Sequence, residues 1–144
     1  MRENTFPARL PQRIVDGYVL YAPVVTYDLG GHTMVFVSGL LARSPEGAIV
    51  GKGDMGAQIR QVGENLKASL ESVGATLENL VRTCTFVTDI EAFFKHVAVR
   101  HEYFGPGLPT STTVEVRRLS NPDFMVEVEG FAIIPSAQHH KEQP

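Results

Sequence analysis

Carboxylates alternate with valines at Val126-Glu127-Val128-Glu129, late in a chain of 144 residues. A period of two marks a strand with two different faces, so Glu127 and Glu129 share one of them. An earlier run, Thr113-Val114-Glu115-Val116, alternates in the same way and adds Glu115. In open water such carboxylates are merely solvated. Enclosed by apolar side chains, a carboxylate resists ionisation and can exchange a proton in either direction near neutral pH. Ser111 and Thr113 stand two apart in Pro109-Thr110-Ser111-Thr112-Thr113 and offer hydroxyl hydrogen bonds from one strand face, unless they are only strand formers met by water. Between the two runs lies Ser120-Asn121-Pro122-Asp123, whose residues favour a tight turn. Residues 109-134 therefore predict a hairpin with its glutamates on one face.

Other candidate groups are scattered. Ser38-Gly39 ends the apolar run Met34 to Val37, and a small residue followed by glycine lets another group approach the backbone closely, so this is a candidate ligand edge. Arg43 lies in a loop over Leu40 to Met55 that contains Pro45, Gly47, Gly51 and Gly53; it is either a cation for an anionic ligand or a solvated arginine. Tyr18 and Tyr21 either line a cleft or pack half-buried. Cys84 is the single cysteine, which excludes an intrachain disulfide and a cysteine metal cluster; alone, it reads as a small buried hydrophobe. His96 and His101 are five apart and do not share a helix face well enough to hold one metal, so no metal site is expected.

The elements that must position these groups follow from periodicity. Residues 1-13 read as an N-terminal arm and 14-25 as a strand that Pro23 pushes to a sheet edge. Gly30-Gly31 predicts a hairpin turn, and the returning strand Met34 to Val37 is apolar enough for burial on both faces. Ala57 to Val73 predicts a helix with Ile59, Val62, Leu66, Leu70 and Val73 on one stripe and Gly74 as its left-handed cap. In Leu80 to Thr88 one face carries Val81, Thr83, Thr85 and Val87, the other Arg82, Cys84, Phe86 and Thr88. A second helix starts at Asp89 or Glu91 and runs to Phe104, with Phe93, Val97 and Phe104 inward, before Gly105-Pro106-Gly107. The expected organisation is one domain over 14-135 and a flexible polar tail over 136-144 containing His139 and His140. This is an α+β layout, two helices on one face of a mixed sheet. Two helices cannot cover both faces, so pairing of sheets between subunits is the expected solution.

Composition sets outer limits. The chain is 43% hydrophobic and 20% charged with a net charge of -3, which disfavours nucleic-acid and anionic-membrane partners. No signal-peptide core precedes Pro7 and no run nears the ~18 apolar residues of a membrane span, so a cytoplasmic protein is expected.

Several motifs occur together and in order: Ser38-Gly39 after an apolar strand, the long helix, Val81-Arg82-Thr83-Cys84-Thr85-Phe86-Val87-Thr88-Asp89-Ile90, and Pro109 to Val116 followed by Val126-Glu127-Val128-Glu129. Over residues 20-135 the chain resembles the YjgF/RidA family. The resemblance implies a chorismate-mutase-like fold, a homotrimer whose sheets form a central barrel, and ligand clefts between neighbouring subunits. It also implies hydrolysis of reactive enamines and imines to ammonia and a keto acid, without a cofactor. In such members a glutamate matching Glu127 positions or activates the attacking water, cleft positions fall at Ser111 and Val97, and the cleft tyrosine has Tyr21 or Tyr27 as candidates, while Ser38, Gly39 and Thr113 stand where they could orient a substrate. Where those members place a carboxylate-gripping arginine this chain has Ser111, and where they carry an asparagine it has Val97. Loss of a charge-assisted pair worth ~1.5–3 kcal/mol weakens carboxylate binding by roughly one to two orders of magnitude. That points toward a specialised deaminase, of the aminomuconate kind, rather than a general 2-imino acid scavenger. Two other readings stay open: a ligand-binding or regulatory homologue without catalysis, and an RNA-directed activity that the acidic balance disfavours.

Overall fold

The computed structural model of the chain describes residues 1-136, so the expected tail with His139 and His140 lies outside the described residues. Six strands form one sheet in the order β1-β4-β5-β8-β6-β7, namely β1 (Arg2–Thr5), β4 (Val24–Asp28), β5 (His32–Leu40), β8 (Val126–Pro135), β6 (Leu80–Val87) and β7 (Thr110–Glu115). A separate two-stranded ribbon pairs β2 (Ile14–Val15) with β3 (Tyr18–Val19). Three helices, α1 (Met55–Glu71), α2 (Ile90–Phe94) and α3 (Val97–Phe104), complete the α+β fold.

α1 forms where the apolar stripe predicts it. Asp54 caps it by accepting from Ala57 N–H at 3.0 Å, and Gly74 takes the left-handed conformation (φ 77°) just beyond its end. Ile59, Val62, Leu66 and Leu70 are fully buried against Val35, Val37, Val126, Val128 and Ala132 of the sheet. Gly63 faces Tyr103 of α3 so closely that the ring occupies the place of an absent Cβ.

The glycine-pair turn joins β4 to β5, with Gly30 at φ 89° and its N–H bonded to Asp28 Oδ1 at 2.8 Å. The strand after it is not buried on both faces. Val35 and Val37 face α1, whereas Phe36 is 44% exposed on the other face, beside Phe131 with ring centroids 5.0 Å apart. In β6 the faces fall as expected from Thr83 onward. A register shift between Leu80 and Arg82 turns Leu80 inward and leaves Val81 exposed.

Three expectations are corrected. Residues 109-134 do not form a hairpin: β7 runs parallel to β6 at the sheet edge, while β8 enters antiparallel between β5 and β6. Alternation specifies faces but not partners, and the α2-α3 crossover returns the chain parallel to β6. Glu115 consequently aligns through Val87 with Val126, on the sheet face opposite Glu127. The segment 14-25 is not one strand either. Asp16 (φ 51°) and Gly17 (φ 84°) fold 14-19 into the β2-β3 ribbon before β4 begins. The second helix breaks at Lys95-His96, where His96 N–H bonds Phe93 O at 3.0 Å in a tightened turn. Val97 is then exposed, and Tyr103 and Phe104 carry the packing of α3.

Candidate functional site

The site begins with an irregularity in β5. Val37 pairs with Gly130 and Leu40 with Val128, so Ser38 and Gly39 together oppose the single residue Glu129. Such a bulge kinks its strand and re-aims the side chains around it. Here it turns Leu40 into the core and places the bare Cα of Gly39 against the Glu127 carboxylate; an added Cβ would meet Glu127 Oε1 first and lie 3.0 Å from its Cδ. Ser38 fastens the bulge to the preceding chain. Its N–H bonds Pro23 O at 2.9 Å and its hydroxyl donates to Ala22 O at 2.8 Å, leaving the hydroxyl oxygen as an acceptor.

Glu127 is half-buried, and no hydrogen bond or ion pair from a described residue engages its carboxylate. Burial, and secondarily the nearby Glu129 carboxylate, push it above the ordinary carboxylate range. It opens into a cavity of about 540 Å³ that also holds Arg13, Ile14, Leu20, Tyr21 and Arg43. A smaller hollow of about 50 Å³ shares Tyr21 and Arg43 and reaches Ser38, Gly39 and Asn65.

Arg43 is fixed as a cation on the wall. Its Nη1 donates to Gly47 O at 2.9 Å and its Cζ lies 4.9 Å from the centroid of Phe124. No carboxylate among the described residues pairs with it. Two α1 amides hold the loops that carry these groups. Asn65 Nδ2 donates to Leu41 O and Arg43 O, both at 3.0 Å. Gln58, wholly buried, donates to Asp123 O at 2.7 Å and accepts from Met125 N–H at 2.8 Å, fixing the segment that leads into Val126-Glu127. Sequence reading passed over both amides because polar residues on a helix normally face water. Their local signal is position: Gln58 lies four residues before Val62 and Asn65 three after it, next to the apolar stripe.

The structure thus gathers Tyr21, Ser38, Gly39, Arg43 and Glu127 around adjoining cavities. It does not bring Ser111, Thr113 or Val97 to them within one chain. Ser111 and Thr113 align with buried Thr83 and Thr85 on the helix side of edge strand β7, and Ser111 Oγ accepts from Arg100 Nη2 of α3 at 3.1 Å. Val97 opens α3 with 52% exposure. Cys84 is half-buried on the uncovered sheet face, in a hollow of about 260 Å³ with Arg82, Ser38 and Glu129. Asp89, Glu91 and Glu115 converge within 4.8 Å at the start of α2, where their work is capping: Asp89 accepts from Ala92 N–H and Glu115 from Ile90 N–H.

A carboxylate held above its ordinary pKa and, in the same cavity, a guanidinium with no carboxylate partner among the described residues suit proton exchange on a small anionic molecule. Comparison with known proteins supplies the family. Residues 20–134 match the family model described as Endoribonuclease L-PSP. A RutC family protein of Pyrococcus abyssi is 39% identical over 98 residues, 68% of this chain and 76% of that protein. The 2-iminobutanoate/2-iminopropanoate deaminase of Salmonella typhimurium is 35% identical over 109 residues, 74% of this chain and 82% of that protein. The crystal structure of the Escherichia coli YjgF gene product superposes with a TM-score of 0.74 at 29% identity, covering 91% of this chain and 98% of that one. The chain belongs to the YjgF/RidA family, whose members include an imine deaminase.

Proposed function

We propose that this protein hydrolyses an enamine- or imine-type metabolite bearing an anionic group. The observation that carries the reading is the Glu127 carboxylate, without a hydrogen-bond or ion-pair partner among the described residues, half-buried and seated on Gly39 in a cavity it shares with Arg43. The named activity of the Salmonella relative supports it.

In the proposed reaction Arg43 grips the anionic group of the substrate, and Glu127 takes a proton from water as the oxygen bonds to the carbon of the C=N group. The imine enters with its nitrogen protonated, as the iminium, so the addition gives a neutral carbinolamine. Glu127 then returns its proton to that nitrogen, the C–N bond breaks as the carboxylate takes the hydroxyl proton, and ammonia leaves with a carbonyl compound behind, picking up that proton as ammonium. An enamine first takes a proton on carbon to become the same iminium. Tyr21 and Ser38 orient the substrate beside the bulge.

Assembly as a homotrimer belongs to the same reading. Phe36, Val81, Val114 and Ile133 leave the helix-free sheet face apolar and uncovered within one chain, which supports burial against other copies.

The test is ammonia release by purified protein from 2-aminoacrylate and from 2-aminomuconate. With serine in place of the β7 arginine, turnover of the three-carbon substrate should be lower than in arginine-bearing relatives and the longer substrate preferred. Retained ligand binding without ammonia release from either, unchanged by Glu127→Ala, would favour a binding protein instead.

A further inference from the structure

The β2-β3 ribbon is a formed element with no packing task in the core. Asp16-Gly17 closes one end and Leu20 N–H bonds Arg13 O at 3.0 Å at the other, so 13-20 is pinned as a loop of fixed shape. Ile14 of the ribbon, 56% exposed, and Leu20 and Tyr21 directly after it, 55% and 47% exposed, nonetheless face outward. Soluble chains scatter single apolar residues on the surface, but a contiguous set on a ribbon calls for an occupant. These three line the same cavity as Glu127 and Arg43. At about 540 Å³ the cavity falls in the size range of sites for metabolites considerably larger than a three- or four-carbon acid.

We propose that the β2-β3 ribbon with Leu20 and Tyr21 is the specificity wall of this site, and that its substrate is an anionic molecule with an elongated apolar or aromatic body. The anionic end lies at Arg43, the reacting carbon at Glu127, and the body against Ile14, Leu20 and Tyr21. This rests on the reading of the cavity as the reaction site. It adds a size and polarity requirement that the residues around Gly39 do not impose. Arg13, whose carbonyl closes the base of the ribbon, and Glu46 also line the cavity and offset one another in charge, so the anionic end is assigned to Arg43, which no described carboxylate pairs.

The experiment measures binding and turnover separately. Affinities for pyruvate, 4-methyl-2-oxopentanoate and phenylpyruvate, the stable keto-acid products of the corresponding imines, are taken by calorimetry on the full chain. Phenylpyruvate is expected to bind about tenfold or more tighter than pyruvate, because its body buries apolar area on the ribbon. In the double variant Leu20→Ser, Tyr21→Ser that ratio should fall to about threefold or less, with the far-ultraviolet spectrum and melting temperature retained since both side chains are exposed. Equal affinity for the three acids, or a preference that survives the double variant, overturns the proposal. Ammonia release is then followed from imines formed in place by an amino-acid oxidase acting on alanine, leucine or phenylalanine. A binding preference without turnover of any imine sinks the deaminase reading and leaves the ribbon's role standing. Turnover that is indifferent to side-chain size does the reverse.

Discussion

Gly39 has no side chain where Glu127 has its carboxylate. The β5 bulge brings the Gly39 Cα so near β8 that Glu127 Oε1 occupies the place of a Cβ. The position of the candidate proton carrier is thereby coupled to a glycine far away in sequence. Replacing Gly39 by alanine should displace the carboxylate, costing about 1–3 kcal/mol by overpacking and lowering kcat more than ligand affinity. Steady-state kinetics beside a denaturant titration checks it; unchanged turnover would show that the carboxylate needs no fixed place.

Glu127→Gln should abolish ammonia release and leave the fold intact. Its effect on stability has a definite sign. The carboxyl group titrates above its ordinary range in the folded chain, so the folded state binds more protons than the unfolded state as pH rises through that interval. The stabilisation from the protonated form is complete below the unfolded carboxylate range and is lost as pH rises through the higher folded value. The variant should therefore gain stability relative to the parent on going from acid to neutral pH, as urea titrations at two pH values would reveal. The pH-rate profile of the parent should show its acid limb above the usual carboxylate range.

Gln58 bonds both Asp123 O and Met125 N–H from a fully buried amide. Gln58→Ala should cost about 1–3 kcal/mol, because it removes both hydrogen bonds made by a buried amide and leaves its space unfilled. It should also loosen the entry to β8. Hydrogen exchange at Met125 should rise more than exchange at Leu66 in α1; uniform acceleration across the chain would mean only global destabilisation.

Gly63 invites a stabilising substitution that should fail. Alanine in a helix interior gains about 1 kcal/mol over glycine, but the Tyr103 ring already fills the place of the new methyl group. That ring is anchored by its hydroxyl donating to Glu64 Oε1 at 2.7 Å, and burial, then Glu64, push the phenol up to about 12. Gly63→Ala should lower the melting temperature, whereas pairing it with Tyr103→Leu should recover part of the loss. A double-mutant cycle measures the coupling.

Much of the framework is legible in the residues alone. α1 follows from its apolar stripe and caps, the β4-β5 turn from Gly30-Gly31, and the two faces of β6 from alternation, because each depends on neighbours within a few positions. The prominence of Glu127, Gly39 and Ser38 was readable too, from the motifs they sit in. What the sequence leaves undecided is partnership between distant segments. Alternation in 110-116 and 126-135 says which residues share a face but not which strand lies beside which, and β7 and β8 in fact flank β6 on opposite sides. That placement alone sends Ser111, Thr113 and Glu115 to the helix side and Glu127 to the other. Likewise Asp16-Gly17 turns the expected strand 14-25 into a ribbon over the cavity, and only the fold shows that its apolar residues stand beside Arg43 and Glu127. The physical reason is the same in both cases: local geometry is set by short-range sterics and periodicity, while a site is assembled by long-range pairing whose energy no single segment contains.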